Sequence, residues 1–164
     1  MTAATLVLRA LHHGERHMES QLAAVAEHHR AEHEIHHVAT DLARWSDEHA
    51  ERIAEASRGY GLDLRGGTDD RPGEGLLAAV REKAAEALGH RPEPGLLLLR
   101  DLRTLHLAAT ENSLHWEMLA QYAQAAADDR LLALSSACHP QTLRQMRWTN
   151  TMIKTVSPQI LTSL

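Results

Sequence analysis

Residues 8–29 read LRALHHGERHMESQLAAVAEHH, and their apolar side chains recur at alternating spacings of three and four. This spacing places one stripe along one face of an α-helix, and that face is buried against other helices. The stripe contains a single carboxylate, Glu15, between Leu11 and Met18. A carboxylate inside a helical bundle must be paired, protonated or bound to a cation, so Glu15 is the first candidate functional residue.

A second stripe of the same kind runs through residues 35–53 and includes His49. It does not continue the first stripe, because an unbroken helix would turn Glu32 inward and Ile35 outward. The sequence therefore predicts two helices that fold back on each other near residues 28–32.

The rest of the chain also predicts helices. Phe is absent, aromatic residues make up 3%, and Ala and Leu dominate, which is typical of a helical bundle. The predicted long helices lie at about residues 2–28, 32–58, 95–127 and 129–157, the last stopped by Pro158.

The connection between the second and third helices is unusually long. It contains a Gly- and Asp-rich loop at 59–75 and a short predicted helix at 76–88. An up-and-down bundle needs a much shorter link. We therefore predict one all-α domain over residues 1–164, a four-helix bundle of two antiparallel hairpins joined by a crossover that carries one short extra helix.

The two hairpins predict which polar residues meet. In a hairpin that turns near residue 30, Glu15 lies level with residues 45–49. An offset of 96 between the two halves aligns Glu15 with Glu111. We expect two polar layers across the core: Glu15, Glu48 or His49, Glu111 and Gln145 in the first, and Glu19, Asp41, His115 and residues 138–141 in the second.

The paired hairpins, the long crossover and the segments GERHMESQL (14–22) and WSDEHAERI (45–53) resemble the ferritin-like superfamily, in particular its stress-associated bacterial members. In di-iron members, two helices each give a Glu and two others give Glu-x-x-His. The resemblance implies metal ligands at Glu15, His49 and Glu111, with Glu19, Glu48 and His115 as second choices. The implied cofactor is iron or another divalent transition metal.

The ligand set of a di-iron centre is incomplete in this sequence. Ser46 stands three residues before His49, where the pattern requires Glu, and the fourth helix offers Thr142, Gln145, Met146 and Trp148. We therefore expect at most one tightly bound metal ion per chain. The alternatives are weak binding, a relic site, or carboxylates paired with Arg or His in a metal-free network.

Nine of the thirteen histidines lie within the first 49 residues. Of those between residues 28 and 37, four share a helical face if the second helix begins early enough: His29, His33, His36 and His37. An i, i+4 pair of histidines can hold Zn, Ni or Cu. Exposed helix ends also tolerate histidine freely, and the literal Glu34–His37 pattern is short enough to occur by chance. Cys138 is interpreted as a core residue, because a nucleophile needs an activating base on the same helix face.

Charge and hydropathy exclude some classes of protein. Seventeen Lys plus Arg against 22 Asp plus Glu give a net charge of −5, without the basic stripe that nucleic-acid binding requires. No apolar run approaches the roughly 18 residues of a membrane span. A single cysteine fits a reducing compartment, so we expect a soluble cytoplasmic protein. We also expect a homo-oligomer, with a dimer favoured.

The predicted function is a non-catalytic metal-binding or structural protein, which the resemblance links to stress or metal handling. Two alternatives stay open: a di-iron or mononuclear metal oxidase or oxygenase, and a module that binds a small molecule between its helices.

Overall fold

The computed structural model describes residues 2–65 and 93–164, and every regular element in these ranges is an α-helix. The helices are α1 (Ala3–His28), α2 (His33–Arg58), α3 (Pro94–Ala125) and α4 (Asp129–Leu161). The predicted all-α organisation with four long helices is confirmed. The short helix predicted at 76–88 lies outside the described residues. None of the described helices has the length and apolar character needed to cross a bilayer.

Capping residues or a proline in the sequence mark where α1, α3 and α4 begin. The hydroxyl of Thr2 accepts a hydrogen bond from the backbone N–H of Thr5 and caps α1. The carboxylate of Asp128 accepts one from Leu131 at 3.1 Å and caps α4. Pro94 occupies the first turn of α3, where its missing N–H costs nothing.

The prediction that Pro158 ends the fourth helix is wrong. Both Pro140 and Pro158 lie inside α4, which continues to Leu161. A proline removes one N–H donor and leaves its own carbonyl available. The carbonyl of Pro158 still accepts a hydrogen bond from the N–H of Thr162 at 3.2 Å, so the final turn forms.

Contacts at the two ends of the bundle define the chain path. His29, just after α1, lies 2.7 Å (Nε2 to Oδ2) from Asp101 near the start of α3. Tyr60, just after α2, donates a hydrogen bond from its hydroxyl to Asp128 at the start of α4. Helix α1 contacts α2 and α3, and α4 contacts the same two helices, so α2 and α3 lie diagonally opposite each other in the bundle. Both α2 and α3 run antiparallel to α1, so they are parallel to each other. The end of α2 and the start of α3 therefore lie at opposite ends of the bundle, and most of the predicted crossover lies outside the described residues.

The apolar core is divided by a polar layer. One apolar cluster includes Leu22 and Leu105, and the other includes Leu8 and Leu119. Between them, along each helix, lie buried polar residues: Glu15, Ser46, His49, Asn112, Thr142 and Gln145. The second predicted layer does not form, because Asp41 is exposed and Glu19 is only half-buried.

Candidate functional site

The candidate site is centred on Glu15 of α1 and His49 of α2, which are both fully buried. Each lies on the apolar stripe of its helix, and the turn at residues 29–32 brings the two positions level. Oε1 of Glu15 lies 3.1 Å from Nδ1 of His49. Next to Glu15, the outward-facing Arg16 donates hydrogen bonds to Asp47 and Glu51 of α2, and these ion pairs hold the two helices in this register.

Two further residues form hydrogen bonds with the pair. The indole N–H of Trp116 donates to Oε1 of Glu15 at 3.0 Å. Nε2 of His49 lies 2.7 Å from Oε1 of Gln141 on α4. Both ring nitrogens of His49 therefore lie within hydrogen-bond distance of an oxygen atom. We call Glu15, His49, Trp116 and Gln141 the central cluster.

Sequence reasoning missed Trp116, and it placed Gln141, as part of residues 138–141, in the second layer and not beside His49. Trp116 follows the buried stripe of α3, where a large aromatic side chain is usually a core residue. Gln141 is one position away from the buried stripe of α4, and only its side-chain reach brings it to His49. No spacing rule identifies a residue of that kind.

A neighbouring set of polar groups lies one turn away. The amide of Gln145 donates to the carbonyl of Leu42 at 3.1 Å and to the hydroxyl of Ser46 at 3.0 Å. Among the described residues of this polar layer, Oε2 of Glu15 and Oε1 of Gln145 are buried and have no hydrogen-bond partner. The layer therefore keeps some unused acceptor capacity. Burying an unpartnered oxygen costs more for the carboxylate of Glu15 than for the amide of Gln145.

The expectation that Glu111 joins Glu15 in the interior is wrong. Glu111 is exposed, and the inward position is held by its neighbour Asn112. The amide of Asn112 donates to the carbonyl of Gly14 at 3.2 Å, where α1 and α3 approach closely. One residue corresponds to about 100° of rotation on a helix, so an error of one in the alignment of the two halves exchanges inward and outward faces.

The second-choice residues also lie away from Glu15 and His49. Glu48 is exposed, Glu19 is half-buried and accepts a hydrogen bond from Arg16 at 2.9 Å, and His115 is half-buried. Within residues 2–65 and 93–164, no group of three or more His, Cys, Asp or Glu side chains is placed to hold a metal ion.

The donors of the polar layer therefore do not fit a di-iron centre. Such a centre needs several carboxylates and two histidines, whereas this layer brings together one carboxylate and one imidazole. The other inward groups are hydroxyls and amides, and both nitrogens of His49 are already engaged within the central cluster.

Cys138 lies near the central cluster and is buried. Burial raises the pKa of its thiol to about 11, so the reactive thiolate is scarce at neutral pH. This supports the interpretation of Cys138 as a core residue.

The histidines between residues 28 and 37 lie at one end of the bundle. His33 and His37 are exposed, with their rings stacked 6.2 Å apart. His36 uses Nδ1 to contact the carbonyl of Ala26 at 2.8 Å. Burial opposes ionisation of Asp101, but hydrogen bonds led by that from His29 outweigh it and hold the pKa of the Asp101 carboxyl below its usual value.

A cavity of about 520 Å³ lies between α2 and α4 near the end marked by Tyr60. Small side chains, among them Ala133 and Ala137, line the cavity together with Arg52 of α2 and Arg130 of α4. The cavity has a size typical of small-molecule sites.

Comparison of the chain with protein-family models, with curated proteins and with solved structures gives no match. Membership of a family therefore stays a prediction, and the polar layer and the cavity have to be interpreted from their own geometry.

Proposed function

We propose that this chain is a non-catalytic helical-bundle protein of the ferritin-like type, in which the central cluster takes the position of a di-metal centre. The parallel, diagonal placement of α2 and α3 supports the ferritin-like part of the proposal. Its links to stress and to metal handling rest on the sequence resemblance alone.

One observation carries the proposal: His49 is held through both ring nitrogens, by Glu15 and by Gln141. An imidazole binds a metal through a free ring nitrogen, so binding at His49 requires one of these contacts to break. The remaining inward groups of α3 and α4 include Asn112 and Gln145, which are poor ligands for iron. The central cluster thus acts as a structural element that fixes the register of the four helices.

The test is metal loading of untagged protein purified without metal columns. The apo protein is mixed with ferrous iron without oxygen, then exposed to air, and bound iron and absorbance are measured. We expect less than one equivalent of iron per chain and no absorbance of an oxidised iron centre. Two irons per chain would refute the proposal.

Matched variants separate the remaining interpretations. Glu15→Gln changes the one buried carboxylate of the layer, and Glu111→Gln changes the exposed one. We expect neither to alter iron binding. One equivalent of iron that is lost in Glu15→Gln and kept in Glu111→Gln would instead favour the mononuclear metal site predicted from the resemblance.

A second candidate function is the binding of a small organic anion in the cavity between α2 and α4. The arginines Arg52 of α2 and Arg130 of α4 suit a carboxylate or phosphate, and the small apolar side chains of the lining suit its carbon skeleton. Glu55 in the same wall is paired with Arg58 at 3.3 Å, which offsets its charge.

Benzoate and its neutral analogue benzamide are suitable probes for this candidate, with NMR shift changes as the measurement. We expect benzoate to bind with a Kd of about 1 mM and benzamide to bind more weakly. Arg130→Gln should weaken benzoate binding about tenfold, because it removes a charge-assisted contact. Arg144→Gln, at an exposed position elsewhere on α4, is the control. Equal shifts with both probes would refute anion recognition.

A further inference from the structure

Helix α3 carries an apolar stripe on its outer face. Leu107, Leu114 and Met118 are 51%, 57% and 52% exposed, and their spacings of seven and four put them on one side of the helix. Single exposed leucines are ordinary on a protein surface, but these three side chains form an apolar strip along one helix, which Glu111 interrupts between Leu107 and Leu114. We call this strip the α3 face.

Charged residues flank the α3 face asymmetrically. Arg100 and Arg103 precede the apolar strip, and both are exposed. Glu117 lies beside its other end, and its side chain is 57% exposed. The face is therefore basic toward the N-terminus of α3 and acidic toward the C-terminus.

This distribution of charge is complementary to itself when reversed. If two α3 helices lie antiparallel and cross near residues 110 and 111, positions at equal distances from that point face each other. Leu107 of one copy then packs on Leu114 of the other, and Arg103 approaches Glu117. A parallel arrangement would place like charges together. Self-complementarity under a two-fold rotation is the requirement of an isologous dimer.

We propose that the α3 face binds the same face of a second copy of this chain, with the two helices antiparallel about a two-fold axis near residues 110 and 111. Three apolar side chains per copy form a smaller contact than the roughly 800 Å² per partner of a standard interface. The dimer is therefore weak, with a Kd of about 10 μM. Glu111 lies next to the axis, where the two copies bring like charges together and weaken the contact.

The first test is sedimentation equilibrium of the full chain over a range of concentrations. We expect a monomer–dimer equilibrium that Leu114→Glu weakens by at least tenfold, because a charge replaces one of the two apolar groups nearest the axis. Leu143→Glu on α4 is the matched control: Leu143 is 42% exposed and lies outside the α3 face. Circular dichroism checks that both variants fold. A monomer at every concentration, or a dimer weakened only by Leu143→Glu, would overturn the proposal.

The second test uses charge reversal, which leaves the apolar strip intact. Arg103→Glu and Glu117→Arg should each weaken the homodimer about tenfold, because each creates two repulsive pairs across the axis. An equimolar mixture of the two variants should recover wild-type affinity, since the heterodimer pairs each Glu with an Arg. Failure of the mixture to recover would refute the antiparallel arrangement. Glu111→Gln should tighten the wild-type dimer, and a weaker dimer would contradict the position of the axis.

Discussion

The close approach of α1 and α3 at Gly14 gives the sharpest test of the packing around the polar layer. A Cβ atom at residue 14 would lie 2.1 Å from Oδ1 and 3.2 Å from Cγ of Asn112. In Gly14→Ala, the Asn112 side chain has to rotate, and its 3.2 Å hydrogen bond to the carbonyl of residue 14 is lost. Leaving that buried amide unsatisfied costs about 1–3 kcal/mol, and the residual crowding adds about 1 kcal/mol.

Alanine also favours a helix over glycine by about 1 kcal/mol, which offsets part of the loss. We therefore expect Gly14→Ala to lower the free energy of unfolding by about 2 kcal/mol, and the Tm by about 6 °C for a chain of this size. Urea unfolding followed by circular dichroism measures the change. In the double variant Gly14→Ala/Asn112→Ala the crowding is removed, so we expect it to be more stable than Gly14→Ala alone. A single variant as stable as wild type, or a double variant no better than the single one, would refute this packing.

Three further outcomes are expected. Trp116→Phe removes the N–H donor to Glu15 and should destabilise the protein by about 2 kcal/mol in urea unfolding; an unchanged midpoint would contradict the contact. The pKa of the Asp101 carboxyl is lowered in the folded state. Asp101 therefore contributes its full stabilisation above the unfolded pKa of 3.8 and loses it as the pH falls through the lower folded pKa. Between pH 5 and 2.5, Asp101→Asn should lose less stability than the wild type. Cys138 should react with iodoacetamide at pH 8 only after unfolding, as followed by mass spectrometry, and rapid labelling of the native protein would contradict its raised pKa and burial.

Helical periodicity predicted the fold well because burial of one face dominates the choice of residues along α1 and α2. Glu15 and His49 interrupt strong apolar stripes, so their inward direction followed from spacing alone. The turn at residues 29–32 then made them level, as antiparallel geometry requires.

The third helix shows where this reasoning is weak. The outer face of α3 carries Leu107, Leu114 and Met118, so two apolar stripes compete in the sequence. Aligning the halves on their glutamates selected Glu111, whereas a spacing of four and three through Trp116 selects Asn112. Only the packing of α3 against Gly14 distinguishes these registers, and packing is not visible in one helix considered alone.

The end of α4 illustrates a second limit. Pro158 is a strong stop signal in sequence rules, yet it removes only one hydrogen bond close to a helix end. Whether the chain continues depends on the balance of one lost bond against the bonds of the next turn, and that balance differs between helices.

The most direct test of the central cluster is an NMR titration of the apo protein with zinc, observing the histidine ring resonances. We expect His33 and His37, exposed at i, i+4 spacing, to shift as they bind the ion. The ring of His49 should not change, because both of its nitrogens are held by Glu15 and Gln141. A shift of His49 at one equivalent of zinc that disappears in Glu15→Gln would contradict this account and identify the central cluster as a metal site.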